Sequence, residues 1–484
     1  MTFIPVALFW MLAIAAMMSR GPMLLYLFFG SMSFGAFAVV PPGVTGGLTF
    51  TATPIVSLLI IARAFISPHG PDFLITSALR MNRMALLFMF WMVAIMTTIF
   101  MPRIFAGEVL IVPLRGEVGV TSLLQPTTQN ISQIVYLSIA ILFAFAFARI
   151  LRSRADRQHA IMALCLGGAI AGFTGLLDFA TQFVPIEPLL VPFRTATYAL
   201  ATDVEILGVK RVVGLMPEAS AFGALCLGIL SGLVFYRRAI IDPRVRNIYA
   251  PLVIALLLLC CWLSKSSGTY LGLAILALVM GAEAMLRAYS AGSSRQLYRQ
   301  DLIGELAVVF GMFALVITVT ILRPEVLDPV YEVIDKMVLQ KADSASYEER
   351  GMWRAVAMDS IFATNGLGVG LGGTRSSSSL VAIFSSTGIL GGVLYFGFVL
   401  QTLLRRSAHL DWEGQFVLAA FRFSFIPAFV VSLLAGGAIV LTPMQAFGFG
   451  IVTATCFSPS AIRGRKLLKG KNKLPENLLI QHNN

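Results

Sequence analysis

The sequence predicts an all-α, polytopic integral membrane protein. Three observations carry this. The 484 residues are 57% hydrophobic and only 12% charged, with mean hydropathy +0.84. A soluble chain of this length would carry roughly 25% charged residues, so lipid must solvate the excess apolar surface. The apolar residues also fall into runs close to the roughly 20-residue length that spans a bilayer as helix. Finally, basic residues are strongly biased to alternate loops, as the positive-inside rule requires.

The apolar runs cover 2–19, 22–40, 50–66, 84–100, 131–150, 160–180, 219–236, 248–263, 269–287, 303–322, 380–404, 422–441 and 443–457. They predict about thirteen crossings, within a range of about eleven to fourteen because the third, eighth and last runs are short. The first run lacks a basic leader and a small-residue cleavage site, so it reads as a retained span. One membrane domain, 1–462, is followed by a basic tail, 463–484.

One set of loops holds Arg20, Arg63, Arg80, Arg83, Arg149, Arg152, Arg154, Arg157, the arginines between 237 and 246, Arg287, Arg295, Arg299, Arg405, Arg406, Arg422 and the tail. It contains 24 of the 36 basic residues and nine of the 24 acids. This set is expected in the cytoplasm, with the C-terminus. The net charge of +12 then reads as topological bias, not as a nucleic-acid footprint.

The opposite set contains three long segments: 101–130, 181–218 and 323–379, the last expected to hold amphipathic helix. Loops of that size without function are uncommon, so chemistry is expected on this face. The four histidines, His69, His159, His409 and His482, all fall on the other side. No metal-binding spacing, P-loop, HExxH, GxSxG or acidic DxD pair occurs, and no metal or cofactor is expected. The five cysteines lie in apolar runs and read as small buried hydrophobes.

Three stretches hold the candidate residues. In Arg211-Val-Val-Gly214-Leu-Met-Pro217-Glu218-Ala-Ser220, Pro217 suits a first helical turn, and Glu218 stands where a helix dipole favours a carboxylate. It reads either as a capping acid or as a functional carboxylate near Arg211. In Leu263-Ser-Lys265-Ser-Ser-Gly-Thr269, a short hairpin places Lys265 at the interface, either snorkelling or facing a phosphate. The third stretch runs from Glu348 to Ser379. Arg350 and Arg354 are four apart, hence on one helix face, with no acid at helical spacing to neutralise them. A glycine run, including Gly366, Gly368, Gly370, Gly372 and Gly373, precedes Arg375; such backbone can approach an anion closely. With Arg194, these cations form a set suited to a diphosphate, because guanidinium forks match phosphate oxygens.

These stretches resemble the O-antigen ligase and Wzy-type polysaccharide polymerase superfamily, in particular its exopolysaccharide polymerase branch. The resemblance rests on Arg211 to Ser220, on Leu263 to Thr269, and on Arg354 through the glycine run to Thr387-Gly388-Ile-Leu-Gly391. Order and spacing agree over roughly residues 200–400. It implies a metal-independent, GT-C-like glycosyltransferase with a large periplasmic loop before a late span. It would act on undecaprenyl-diphosphate-linked oligosaccharide at the periplasmic face of the bacterial inner membrane, with chain-length regulator and export proteins as partners. Arg211 and Arg354 would stabilise the leaving diphosphate and Glu218 would serve as base. Lys265, Arg350, Arg375, Arg194, Gly370 and Gly372 would bind substrate. Ligases of the superfamily carry a histidine shortly after the glycine run, where this chain has Thr374-Arg375-Ser376-Ser377, which favours polymerase. Ligation of finished glycan and transport across the membrane remain the rival expectations.

Overall fold

In a computed structural model, the described residues are 3–41, 43–45, 48–114, 120–198, 200–206, 209–289, 345–408, 410–437, 441–458 and 461–462. They are mostly helical. The helices, in order, are α1 (Phe3–Met18), α2 (Met23–Ser31), α3 (Ala52–Ile66), α4 (Gly70–Leu79), α5 (Ala85–Ile104), α6 (Thr128–Ile150), α7 (Arg154–Ala180), α8 (Ala219–Tyr236), α9 (Ala250–Leu263), α10 (Ser267–Tyr289), α11 (Ala345–Ala363), α12 (Ser379–Leu403), α13 (Trp412–Ala435) and α14 (Pro443–Cys456). Two two-residue hairpins, Leu110–Ile111 with Ser122–Leu123 and Glu205–Ile206 with Val209–Lys210, decorate the loops.

Eight helices among the described residues are long and apolar enough to cross a membrane: α5 to α10, α12 and α13, with α9 extended back to Val245. A ninth is formed if α3 and α4, bent by 102° at residues 67–69, count as one broken span. The expected thirteen are therefore not all present as full-length helices. Residues 22–40 are helical only over Met23–Ser31, and α14 has 14 residues. The run 303–322, the tail 463–484, His409 and His482 lie outside the described residues. All five cysteines are free and buried.

Short helices survive because they are packed against neighbours. Phe28 and Phe29 of α2, Phe143 and Phe147 of α6 and Phe447 of α14 form one aromatic cluster, with ring centroids 4.2 to 5.6 Å apart. Gly450 lets α14 approach α6 closely: a Cβ there would sit 2.3 Å from that of Phe147. Small residues permit such approaches where lipid removes the hydrophobic drive between helices.

Polar contacts sort the bundle into two ends. At one end, Gln158 at the start of α7 donates to Ala239 O after α8, and Arg405 after α12 reaches Arg83 O before α5 at 2.6 Å. At the other, Val212 N–H before α8 bonds Leu263 O at the end of α9, and Ser378 before α12 bonds Leu433 O near the end of α13. The described parts of the three long segments gather at this second, loop-rich end. His69 and His159 belong to the first, arginine-rich end, where Tyr26 meets the His159 ring at 3.2 Å.

Three buried carboxylates hold the bundle, each satisfied by arginine. Glu413 meets Arg157 at 2.9 Å, Gln158 at 3.3 Å and Arg154 at 3.4 Å. Glu283 of α10 bridges Arg287 and Arg238. Asp178 of α7 takes Arg194 at 2.8 Å, the Val213 N–H at 2.7 Å and the Gly214 N–H at 3.1 Å, with Lys210 at 3.7 Å. Removing one partner of such a set leaves a buried charge uncompensated.

Asp178→Ala should therefore destabilise the protein by about 3–5 kcal/mol. The readout is the unfolding midpoint of detergent-solubilised protein, which should fall well below that of wild type; an unchanged midpoint would show that Arg194 and Lys210 do not depend on Asp178.

Candidate anion site at the loop-rich end

The segment entering α8 owes its shape to the helices beneath it. Asp178 anchors its middle at Val213 and Gly214, the latter with φ +58. Arg211 N–H bonds Val204 O at 3.1 Å and Val212 N–H bonds Leu263 O at 3.2 Å, which stitches the segment to the α9–α10 turn. Residues 35–38 brace it from the other side. Ala36 N–H donates to Leu215 O at 2.9 Å, and Gly35 leaves no room for a Cβ against Met216. These bonds explain why 22–40 is not one helix: its second half is backbone scaffold for the loop.

On this scaffold Arg211 is half-buried, and its Nε–H donates to Ser264 O at 3.2 Å. Burial holds its guanidinium below the usual arginine range; nearby Glu218 and Tyr270 oppose that, while Arg350 adds to it. The Lys265 amine is likewise held down, first by burial and then by Arg211. Lys265 occupies the left-handed region at φ +44, the bend that lets a three-residue turn join α9 to α10. Tyr270 caps this turn from the first coil of α10, its hydroxyl donating to Trp262 O at 2.9 Å and its ring 5.4 Å from the Trp262 ring. Four of the expected residues, Arg211, Glu218, Lys265 and Arg350, thus share one neighbourhood built from three separate stretches. That set holds three cations and one carboxylate, with Arg211 near each of the others.

Glu218 is the residue before α8, with Pro217 one position outside it instead of in the first turn. It is exposed and makes no side-chain bond to the helix N-terminus; its carboxylate accepts from the Ser220 hydroxyl. The capping role expected as one alternative is therefore absent, and the carboxylate stands at the surface of the cation set.

The remaining candidates are placed differently. α11 forms as expected, with Arg350 half-buried and Arg354 exposed, and neither pairs with a described carboxylate. Arg350 O accepts from Ser377 at 2.7 Å, tying α11 to the strand-like approach to α12. Arg375 lies beyond Trp353, its guanidinium 4.6 Å from that ring, and donates to Leu114 O at 2.7 Å. Arg194 is committed to Asp178 and Gly214 O.

Most amides of the glycine run, that of Gly370 among them, are already bonded within the protein. The N–H groups of Gly368, Val369, Gly370, Leu371 and Gly373 are bonded to Thr364, Ser385, Ser386, Thr98 and Gly370. Gly366, Gly368, Gly370 and Gly372 have φ between +75 and +85. A Cβ on Gly370 would lie 2.9 Å from Thr98 Cα, and one on Gly372 2.9 Å from the Gln129 backbone. From Gly368 onward the run is tight and buried. It splices the break in α12, where Gly388 has φ +71: Ile389 N–H donates to Gly366 O at 2.8 Å. Such irregular backbone at membrane depth is tolerated only where protein satisfies it.

Tyr270 and Trp353 were not singled out in the sequence. Their signals were position alone: Tyr270 follows Lys265 by five residues, and Trp353 lies between Arg350 and Arg354.

No protein-family model matches the chain, and no curated protein matches it.

Two outcomes follow from this geometry. Gly370→Ala should cost about 1–3 kcal/mol of stability through strain and overpacking, while folded protein keeps wild-type affinity for inorganic diphosphate; a binding defect at normal stability would return Gly370 to the site. A bound anion would offset the repulsion and desolvation that lower the Lys265 pKa, so that pKa should rise on adding inorganic diphosphate. Carbon NMR of isotopically dimethylated lysine, assigned with Lys265→Arg, would read this; no upward movement would remove Lys265 from the anion's surroundings.

Proposed function

We propose that this chain is a membrane-embedded glycosyltransferase that polymerises undecaprenyl-diphosphate-linked oligosaccharide repeat units into exopolysaccharide or O-antigen. The reading places the reaction at the periplasmic face of the bacterial inner membrane, with the C-terminus in the cytoplasm. It takes the fold as GT-C-like, with α1 and α14 adding to the crossings. The observation that carries it is the convergence of Arg211, Lys265 and Arg350 beside the exposed carboxylate of Glu218. The resemblance noted in the sequence supplies the substrate class.

In this reaction the acceptor sugar hydroxyl gives its proton to Glu218 as its oxygen attacks the anomeric carbon of the donor glycan. The bond from that carbon to the lipid diphosphate breaks, and its electron pair leaves on the phosphate oxygen. Arg211, Lys265 and Arg350 stabilise that developing charge. Preorganised cations in a poorly hydrated site can supply several kcal/mol to such a step. Arg354, exposed on α11, would meet the outer phosphate or the first sugars. Arg375, held against Trp353, supports that helix. Chain-length regulator and export proteins are the partners this activity needs. The buried carboxylates favour an enzyme over a transporter: Asp178, Glu283 and Glu413 are each fixed by arginine.

Purified Glu218→Gln and Arg211→Ala, given lipid-linked repeat units, should lengthen chains at least about a hundredfold more slowly than wild type, in keeping with loss of a general base or of a transition-state charge partner. Wild-type rates in both variants would sink the assignment. If wild type makes no polymer but transfers finished glycan to lipid A or protein, the same chemistry serves ligation instead.

A further inference from the structure

The arginine-rich end carries a second convergence of cations that the proposed reaction does not use. Arg83 precedes α5, Arg149 and Arg152 close α6, and Arg405 follows α12. α4, turned 102° from α3, lies across this end and brings Phe73 among them. The guanidiniums of Arg83, Arg149 and Arg152 lie 5.7, 5.8 and 5.3 Å from the Phe73 ring centroid. Those of Arg83 and Arg405 lie 5.0 and 5.5 Å from the Phe457 ring. Two rings thus gather four cations from three separate parts of the chain.

No described carboxylate answers them. The neighbouring Arg154 and Arg157 meet Glu413, and Arg238 and Arg287 meet Glu283. The four form no such pair; their partners are neutral. Arg83 reaches Ser77 Oγ at 3.3 Å, Arg149 reaches Pro68 O at 2.9 Å, and Arg405 reaches Thr453 Oγ1 at 3.0 Å and Arg83 O at 2.6 Å. In all four, the Nε–H is shut away from solvent with no acceptor. A buried donor left unsatisfied costs about 1–3 kcal/mol, and more when charged. Burial is the first cause lowering the pKa of Arg83, Arg152 and Arg405, and neighbouring arginines add to it for Arg83 and Arg152.

Topological bias accounts for arginine on this side of the membrane, since it needs only the charge in the loop. It does not account for four guanidiniums drawn from different loops onto shared rings with their inner donors orphaned. An oxyanion held by their outer N–H groups would cancel the repulsion and offset the cost of the buried donors, and guanidinium forks fit phosphate oxygens best. We propose that Arg83, Arg149, Arg152 and Arg405 form a binding site for a phosphate-class anion, from either an anionic lipid headgroup or a soluble phosphate compound.

The test uses the full chain purified in neutral detergent. Equimolar phosphatidylglycerol and phosphatidylcholine are added and retained lipid is counted by native mass spectrometry. In parallel, unfolding is followed with inorganic diphosphate. A lipid source predicts about tenfold preference for phosphatidylglycerol, reduced at least about fivefold in Arg152→Gln and Arg83→Gln and untouched in Arg20→Gln, an exposed loop arginine. A soluble source predicts instead a diphosphate-induced rise in unfolding midpoint with the same dependence on variants. Wild type that shows neither preference nor rise overturns the site, and this arm does not require any variant to fold. Equal effects in Arg20→Gln and the cluster variants would overturn it too, by showing only diffuse attraction.

Discussion

The loop-rich end depends on the Asp178 carboxylate. The described residues between 194 and 214 have little secondary structure of their own, yet they must present Arg211 and lead the chain into α8. A single buried carboxylate near the end of α7 gathers Arg194, Lys210 and two backbone N–H groups of that segment. Its charge is tolerable inside the bundle only because these partners supply it with hydrogen bonds and opposite charge. The partners have further links of their own, Lys210 to Asp203 and Arg194 to Gly214 O, but Asp178 is where they meet. The rest of the neighbourhood follows by short links: Val212 to α9, Leu215 to Ala36, and Glu218 into α8.

The bundle treats its arginines in two contrasting ways. Glu413 and Glu283 neutralise those that pass close to helix ends and need a fixed place in the core. Others are left with aromatic faces and carbonyl oxygens, which orient a guanidinium without cancelling its charge. Arg375 over Trp353 and Arg83 over Phe73 and Phe457 are of this second kind. The distinction separates arginines that hold the fold from those left with charge to offer.

Much of the membrane architecture was legible because the bilayer imposes one rule, an unbroken apolar run with internal hydrogen bonding. Residues 84–100, 219–236 and 269–287 match α5, α8 and α10 to within a few residues. Where the reading fell short, a long-range partner decided. α13 begins at Trp412, ten residues before the apolar run, because Glu413 finds Arg157 and Arg154, while Arg422 returns to Leu403 O and Arg405 O. Charges that looked like loop are interior helix once paired. Charge and loop order grouped six cations, Arg211, Lys265, Arg350, Arg354, Arg375 and Arg194; Arg211 lies near Lys265 and Arg350, while Arg194 goes to Asp178 and Arg375 to Trp353. The fate of Arg194 and of the glycine amides was not legible, since neither composition nor spacing says whether a donor faces a ligand or its own chain.

The break in α12 at Gly388 is mended by residues 366–370, which lie about nine residues deep, or about 13 Å, along that helix. A helix mended by its own upstream loop cannot enter the bilayer as an independent hairpin arm. Until the glycine segment is in place against α12, the freed amide of Ile389 has no partner from that segment. One left-handed residue thus makes α12 and the segment before it a single structural unit.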